Sequence, residues 1–81
     1  MTLTVQLFAR ARELAGTGTI AIVLPNGGSV ADLRAALVER VPALRDVLAV
    51  SRIAVNHDFA MDETSIREGD EVAVIPPVSG G

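Results

Sequence analysis

Few groups in this chain could do covalent chemistry. There is no cysteine, which excludes thiol nucleophiles, disulfides and thiolate metal sites. The single histidine, His57, stands between Asn56 and Asp58 in a stretch of turn-forming residues. A lone exposed imidazole is a poor start for a metal centre or a general base. Ser29 and Ser51 lack the flanking glycines of a nucleophile elbow. Neither Gly16-Thr17-Gly18 nor Gly27-Gly28 matches a dinucleotide fingerprint or a phosphate loop, and the latter needs a lysine that the chain does not have. Between Asp58 and Glu71 there are six acids against Arg67, but not at the spacing of a calcium loop, so they read as a solvated, turn-rich face.

What remains is the C-terminus. Pro76-Pro77 removes two backbone donors directly after an apolar run, so sheet pairing must stop there and the chain leaves in a stiff, extended form. Val78, Ser79, Gly80 and Gly81 follow. Two terminal glycines have no helix to cap and no side chains, so such an end can be drawn through a narrow channel to a reactive centre. Six residues, Pro76 to Gly81, reach about 20 Å when extended. The Gly81 carboxylate is then the one unhindered reactive group, and the expected organisation is a folded domain over 1–75 with a tail over 76–81.

The elements that must position this tail follow from periodicity. Thr2 to Phe8 alternates, with Leu3, Val5 and Leu7 on one face and Thr4, Gln6 and Phe8 on the other, which predicts a strand. Ala9 to Ala15 predicts a short helical connection ending at Gly16-Thr17-Gly18. Thr19 to Leu24 predicts a second strand. Ser29 is an N-cap with Asp32 in the capping-box position, and Val30, Leu33, Leu37 and Val41 recur at helical spacing until Pro42 stops the helix. Leu44 to Leu48 allows one further turn, and Ser51 to Asn56 predicts a third strand. Phe59 to Ile66 fits either a short strand or a helical turn. Arg67 to Asp70 is a turn, and Glu71 to Ile75 is the last strand. One amphipathic helix can cover only one face of a sheet, so the expected class is an α+β two-layer domain. With the first and last strands side by side, the arrangement is a β-grasp.

Composition narrows the partners. The 81 residues make one domain, with a net charge of −3 and no tryptophan or tyrosine. An acidic chain without a basic groove or stacking aromatics is not expected to bind nucleic acid. No uncharged run suits a membrane helix and no signal peptide is visible, so the expected location is cytoplasmic, away from the membrane. With one histidine and no cysteine, neither a metal nor any other bound cofactor is expected. Phe8 faces away from the single helix. With Arg12 and Ile75 it forms the candidate partner interface.

Three stretches give the chain a family resemblance: Leu7-Phe8-Ala9-Arg10-Ala11-Arg12-Glu13-Leu14-Ala15-Gly16; Ala54-Val55-Asn56; and Glu68-Gly69-Asp70-Glu71-Val72-Ala73 leading to Pro76-Pro77-Val78-Ser79-Gly80-Gly81. The chain resembles the small, sulfur-carrying subunits of molybdopterin synthase, which are ubiquitin-like β-grasp proteins. It departs from them at Ile75, where the family often has an aromatic. The resemblance implies a non-catalytic subunit with no complete active site of its own. An ATP-dependent adenylating (E1-like) enzyme would activate Gly81, and a sulfur donor would convert it to a thiocarboxylate. The tail would enter the large subunit and give its sulfur to a pyranopterin precursor in molybdenum cofactor biosynthesis, ATP being used by the activating partner only. Two alternative roles stay open: a sulfur carrier for thiamine biosynthesis, with the same fold and chemistry, and a ubiquitin-like protein modifier, which joins its C-terminus to lysines of targets. The ending Pro76-Pro77-Val78 favours the molybdopterin branch.

Overall fold

The computed structural model describes residues 1–77. Alternating burial runs through β1 (Thr2–Leu7), with Leu3, Val5 and Leu7 inside and Thr2, Thr4 and Gln6 outside. There follow α1 (Ala9–Ala15), β2 (Thr19–Val23), α2 (Val30–Arg40), a 3-10 turn (Pro42–Leu44) leading into α3 (Arg45–Val50), β3 (Arg52–Val55), β4 (Asp58–Ala60) and β5 (Val72–Ile75). The sheet has the order β2-β1-β5-β3-β4, with β1 and β5 parallel and the other neighbours antiparallel. This is the expected β-grasp, with the first and last strands adjacent. Among the described residues, no helix is long and apolar enough to cross a membrane.

The core lies between one face of the sheet and the helices. Leu3, Val5, Leu7, Ile22, Ile53, Val72 and Val74 from the strands meet Val30, Leu33 and Leu37 of α2 and Leu44 and Leu48 beyond it. Each such side chain contributes about 1.5–3 kcal/mol by leaving water. The capping box that opens α2 is formed in full: Asp32 N–H donates to Ser29 Oγ (3.2 Å) and Ser29 N–H donates to Asp32 Oδ2 (2.9 Å).

β2, β3 and β5 are each shorter than the sequence expectation by one residue at an end, β3 at both, and three further differences have structural causes. β1 stops at Leu7, because Phe8 is the last extended residue and Ala9 turns to a φ of +49°. The Phe8 carbonyl then accepts from Ala11 N–H (3.1 Å) instead of joining the sheet. The single extra turn expected over Leu44 to Leu48 is a 3-10 turn plus the six-residue α3. The ambiguous segment Phe59 to Ile66 resolves into the end of β4 and a loop across the start of α2. In that loop the carbonyls of Thr64 and Asp62 accept from Val30 N–H (2.9 Å) and Ala31 N–H (3.0 Å), and Ile66 N–H donates to Gly28 O (2.8 Å). The loop thus satisfies amides that a helix start leaves without intrahelical partners.

Two polar clasps tie segments distant in sequence together. Arg34, on α2, donates to Asp62 Oδ1 (3.0 Å), to Ser51 O (2.9 Å) and to Leu48 O, joining α2 to the loop and to the end of α3. Asn56 joins the β3–β4 turn to the approach to β5. Its side chain donates to Asp70 Oδ1 (3.0 Å) and accepts from Glu71 N–H (2.9 Å), while its own N–H donates to Glu71 O (2.7 Å). Asp70 also accepts from Arg67 N–H (2.8 Å). That backbone bond first, and the Asn56 amide second, hold the Asp70 carboxyl below its ordinary value of 3.8.

Replacing Arg34 with Met removes three hydrogen bonds made by one charged group and is expected to cost about 2 kcal/mol. Arg34→Lys should recover little of this, because an ammonium cannot span the three acceptors. Urea denaturation of the three proteins measures both. Asp70 supplies a pH signature. Because its folded-state pKa is lowered, its contribution is complete above about pH 4 and disappears as the pH falls through the lower folded value. Asp70→Asn should therefore be less stable than wild type at neutral pH, with the difference shrinking towards zero in acid. Denaturation midpoints measured across that acid range check the sign.

Candidate functional site

The helices leave the second face of the sheet open. Register places Gln6, Ala73, Ala54 and Phe59 in one row across β1, β5, β3 and β4, and Ile75 beside Arg52 in the next. Leu7 pairs with Val74, so Phe8, one residue further on, stands at the level of Ile75. Phe8, Ala54, Phe59, Ala73 and Ile75, rimmed by Gln6, His57 and Glu71, line a concavity of about 250 Å³. Both phenylalanines of the chain are here instead of in the core, 45% and 59% exposed, and Ile75 is 36% exposed. Small alanines at the floor and large apolar side chains at the rim make a hollow suited to a partner's apolar side chain.

The backbone around this face has specific causes. Ala9, at φ +49°, pays the steric cost of a left-handed residue and turns the chain so that Phe8 stays on the open side while Ala11 enters the core. Asn56 and His57, at φ +52° and +72°, are the two central residues of the β3–β4 hairpin, the pattern of a type I′ turn. His57 Nε2 lies 3.0 Å from Glu71 Oε2, with the imidazole 85% exposed, so this is a weak surface contact.

The site residues expected from sequence are only partly brought together. Phe8 and Ile75 share the hollow. Arg12 does not join them: it lies on α1, with its guanidinium within 3.5 Å of where a side chain on Gly18 would begin. Pro76, expected to begin the tail, is buried, whereas Pro77 is exposed. Val78, Ser79, Gly80 and Gly81 lie outside the described residues. Sequence reasoning missed Phe59 and Arg52. Phe59 fell in the ambiguous segment. Its signal was that the only other phenylalanine sat in a polar hairpin where nothing required a buried ring. Among the described residues, no group of three or more His, Cys, Asp or Glu side chains could hold a metal ion. The described part of the site is thus an apolar hollow beside the end of β5.

The profile of the ThiS family matches residues 5–81. The molybdopterin synthase sulfur carrier subunit of Arabidopsis thaliana is 38% identical over 77 residues, which cover 95% of this chain and 80% of that protein. Among solved structures, SAMP1 from Haloferax volcanii, a small archaeal modifier protein, superposes with a TM-score of 0.91 at 30% identity over the whole of both chains. A Helicobacter pylori complex of subunits 1 and 2 of molybdopterin-converting factor contains a chain with a TM-score of 0.71 at 26% identity, again over the full length of both. The match runs from the middle of β1 through every later element to the last glycine, and so the chain belongs to the ThiS family, alongside the molybdopterin synthase sulfur carrier subunits.

Proposed function

We propose that this chain is the sulfur carrier subunit of a two-subunit molybdopterin synthase. The observation that carries the reading is the position of β5. A central strand ends at Ile75, on the rim of the open hollow, and leads through Pro76 and Pro77 towards Gly80-Gly81. A partner seated on the hollow is therefore beside the point where the chain end leaves the domain. Similarity to the Arabidopsis carrier subunit over nearly the whole chain and to one chain of the Helicobacter two-subunit complex supports the same reading.

The chemistry belongs to the carboxylate of Gly81. Its oxygen attacks the α-phosphorus of ATP on an adenylating enzyme, releasing pyrophosphate and leaving an acyl adenylate. Sulfur delivered as a hydrosulfide equivalent attacks the acyl carbon, expels AMP and loses its proton, giving the thiocarboxylate. On the large subunit, the thioacid sulfur attacks an electrophilic carbon of the pyranopterin precursor and displaces an oxygen substituent from that carbon. Water then cleaves the bond between acyl carbon and sulfur, returning the carboxylate. Pro77, Val78, Ser79 and Gly80 thread this group into the partner, where bulk would obstruct it. Phe8 and Ile75 provide the docking contact, and the large subunit provides the acid–base groups. A second reading is favoured by the likeness to the archaeal modifier protein: the activated Gly81 would be joined to an amine of a target protein. Formation of amide-linked conjugates with ATP and activating enzyme, in place of thiocarboxylate, would select it.

Deleting Gly81, or adding one residue after it, should abolish dithiolene formation by the reconstituted two-subunit enzyme while leaving the circular dichroism spectrum unchanged. Intact-mass analysis of the wild type after loading should show one oxygen replaced by sulfur, with fragmentation placing it at Gly81. Full activity in the extended variant would exclude the mechanism. Phe8→Asp should weaken large-subunit binding at least tenfold, about 1.4 kcal/mol or more, without unfolding the domain. Calorimetric titration measures the first and the melting curve the second. An unchanged affinity would mean that the hollow is not the docking surface.

A further inference from the structure

Arg52 and Phe59 form a feature of the open face that the reading above does not use. Arg52 begins β3 and is the direct cross-strand partner of Ile75, where β5 ends. Its guanidinium carbon lies 4.8 Å from the centre of the Phe59 ring on β4. Arg10 and Arg34 have carboxylate partners in Glu13 and Asp62, but Arg52 has none within ion-pair distance among the described residues. An arginine over an aromatic ring keeps its side chain ordered, and its in-plane N–H groups remain free to bond outward.

The position of this cation gives the face a direction. Arg52 stands at the end of β3 nearest the chain exit, and the His57–Glu71 pair stands past the other end of that four-residue strand, about 13 Å away. The apolar hollow of Phe8, Ala54, Ala73 and Ile75 lies alongside. A protein lying on the hollow therefore meets a bare guanidinium at the exit end and a carboxylate at the far end. Reversing it would place its charges against like charges, which costs affinity and suppresses the wrong orientation. A small free anion gains little from one exposed guanidinium in water. A protein carboxylate brought there by burial of the neighbouring apolar surface gains more, because the pair is partly desolvated.

We propose that Arg52, oriented by Phe59, is a specificity-determining residue of the docking face: it takes an aspartate or glutamate carboxylate of the partner protein that receives the chain end, and so sets the direction in which that partner lies across the sheet. The inference rests on the docking function proposed above, and the experiment separates the two. The full chain is titrated calorimetrically against its purified large subunit at low and at high salt, as wild type and as Arg52→Met, Arg52→Gln, Arg52→Lys, Phe59→Leu and the Arg52→Met/Phe59→Leu double variant. Melting curves establish that each is folded. Loss of the charge in Arg52→Met and Arg52→Gln should weaken binding roughly five- to tenfold at low salt and reduce its salt dependence. Arg52→Lys should recover only part of the affinity. Phe59→Leu should weaken binding both through the hollow it lines and through the guanidinium it orients, so combining it with Arg52→Met should cost less than the sum of the two single effects. Wild-type affinity and salt dependence in both uncharged variants would overturn the role of Arg52. Fully additive effects would overturn the orienting role of Phe59. If Phe8→Asp weakens binding while the Arg52 variants do not, the docking face stands and this inference alone falls. If no substitution weakens binding, the docking reading falls with it.

Discussion

Parallel pairing of β1 with β5 is the constraint on which the rest of the molecule depends. Val5, Gln6 and Leu7 sit against Val72, Ala73 and Val74, so the first and last strands share the middle of the sheet. Parallel neighbours need a long crossover. Here the chain between them supplies the two outer hairpin partners β2 and β4, the helices and β3. The inward residues of the pair, Val5, Leu7, Val72 and Val74, are almost completely buried under α2. Because the side-chain period is two, the same register sends Gln6 and Ala73 to the opposite face, with Phe8 and Ile75 one step further on. The core and the open apolar face are thus two consequences of one alignment.

That alignment also explains why the chain end departs from a firm base. An end that left from an edge strand would move with the fraying of that edge. β5 is flanked by β1 up to Val74 and by β3 up to Ile75, and Pro76 is buried. Pro77 is the first exposed residue after the strand. The transition from rigid sheet to departing chain therefore occurs beside the hollow, and a partner seated there receives a chain end whose origin is held in place.

The motif stretches that carry the family resemblance divide by physical role. Asn56, Asp70 and Glu71 form the clasp between the β3–β4 turn and the start of β5, which sets where β5 enters the sheet. Phe8 and Ala9 form the reversal that ends β1, where an alanine in a left-handed conformation keeps an aromatic side chain on the open side. Ala54 and Ala73 form the floor of the hollow, where a larger side chain would fill it. Much of what looks like a functional signature is therefore the frame that holds a small binding surface and a chain exit in register.

Local pattern was enough to determine the alternation of β1, the capping box and apolar stripe of α2, the turns at Asn56-His57 and Arg67 to Asp70, and the Pro-Pro stop before the two glycines. Each rests on residues within a few positions of one another, where sterics and hydrogen-bonding capacity act directly. The pairing of Phe8 with Ile75 was also accessible, once the first and last strands were placed side by side. Only the tertiary structure decided the course of Phe59 to Ile66, because its backbone is held by amides at the start of α2, some thirty residues earlier in the chain. The same is true of Arg34, whose three acceptors come from two separate segments, and of the separation of Arg12 from the hollow, which depends on how α1 brings Arg12 beside Gly18. Arg52 over Phe59 is likewise a product of the β3–β4 register. These contacts join residues distant in sequence, and no local periodicity encodes which distant group will satisfy a given donor.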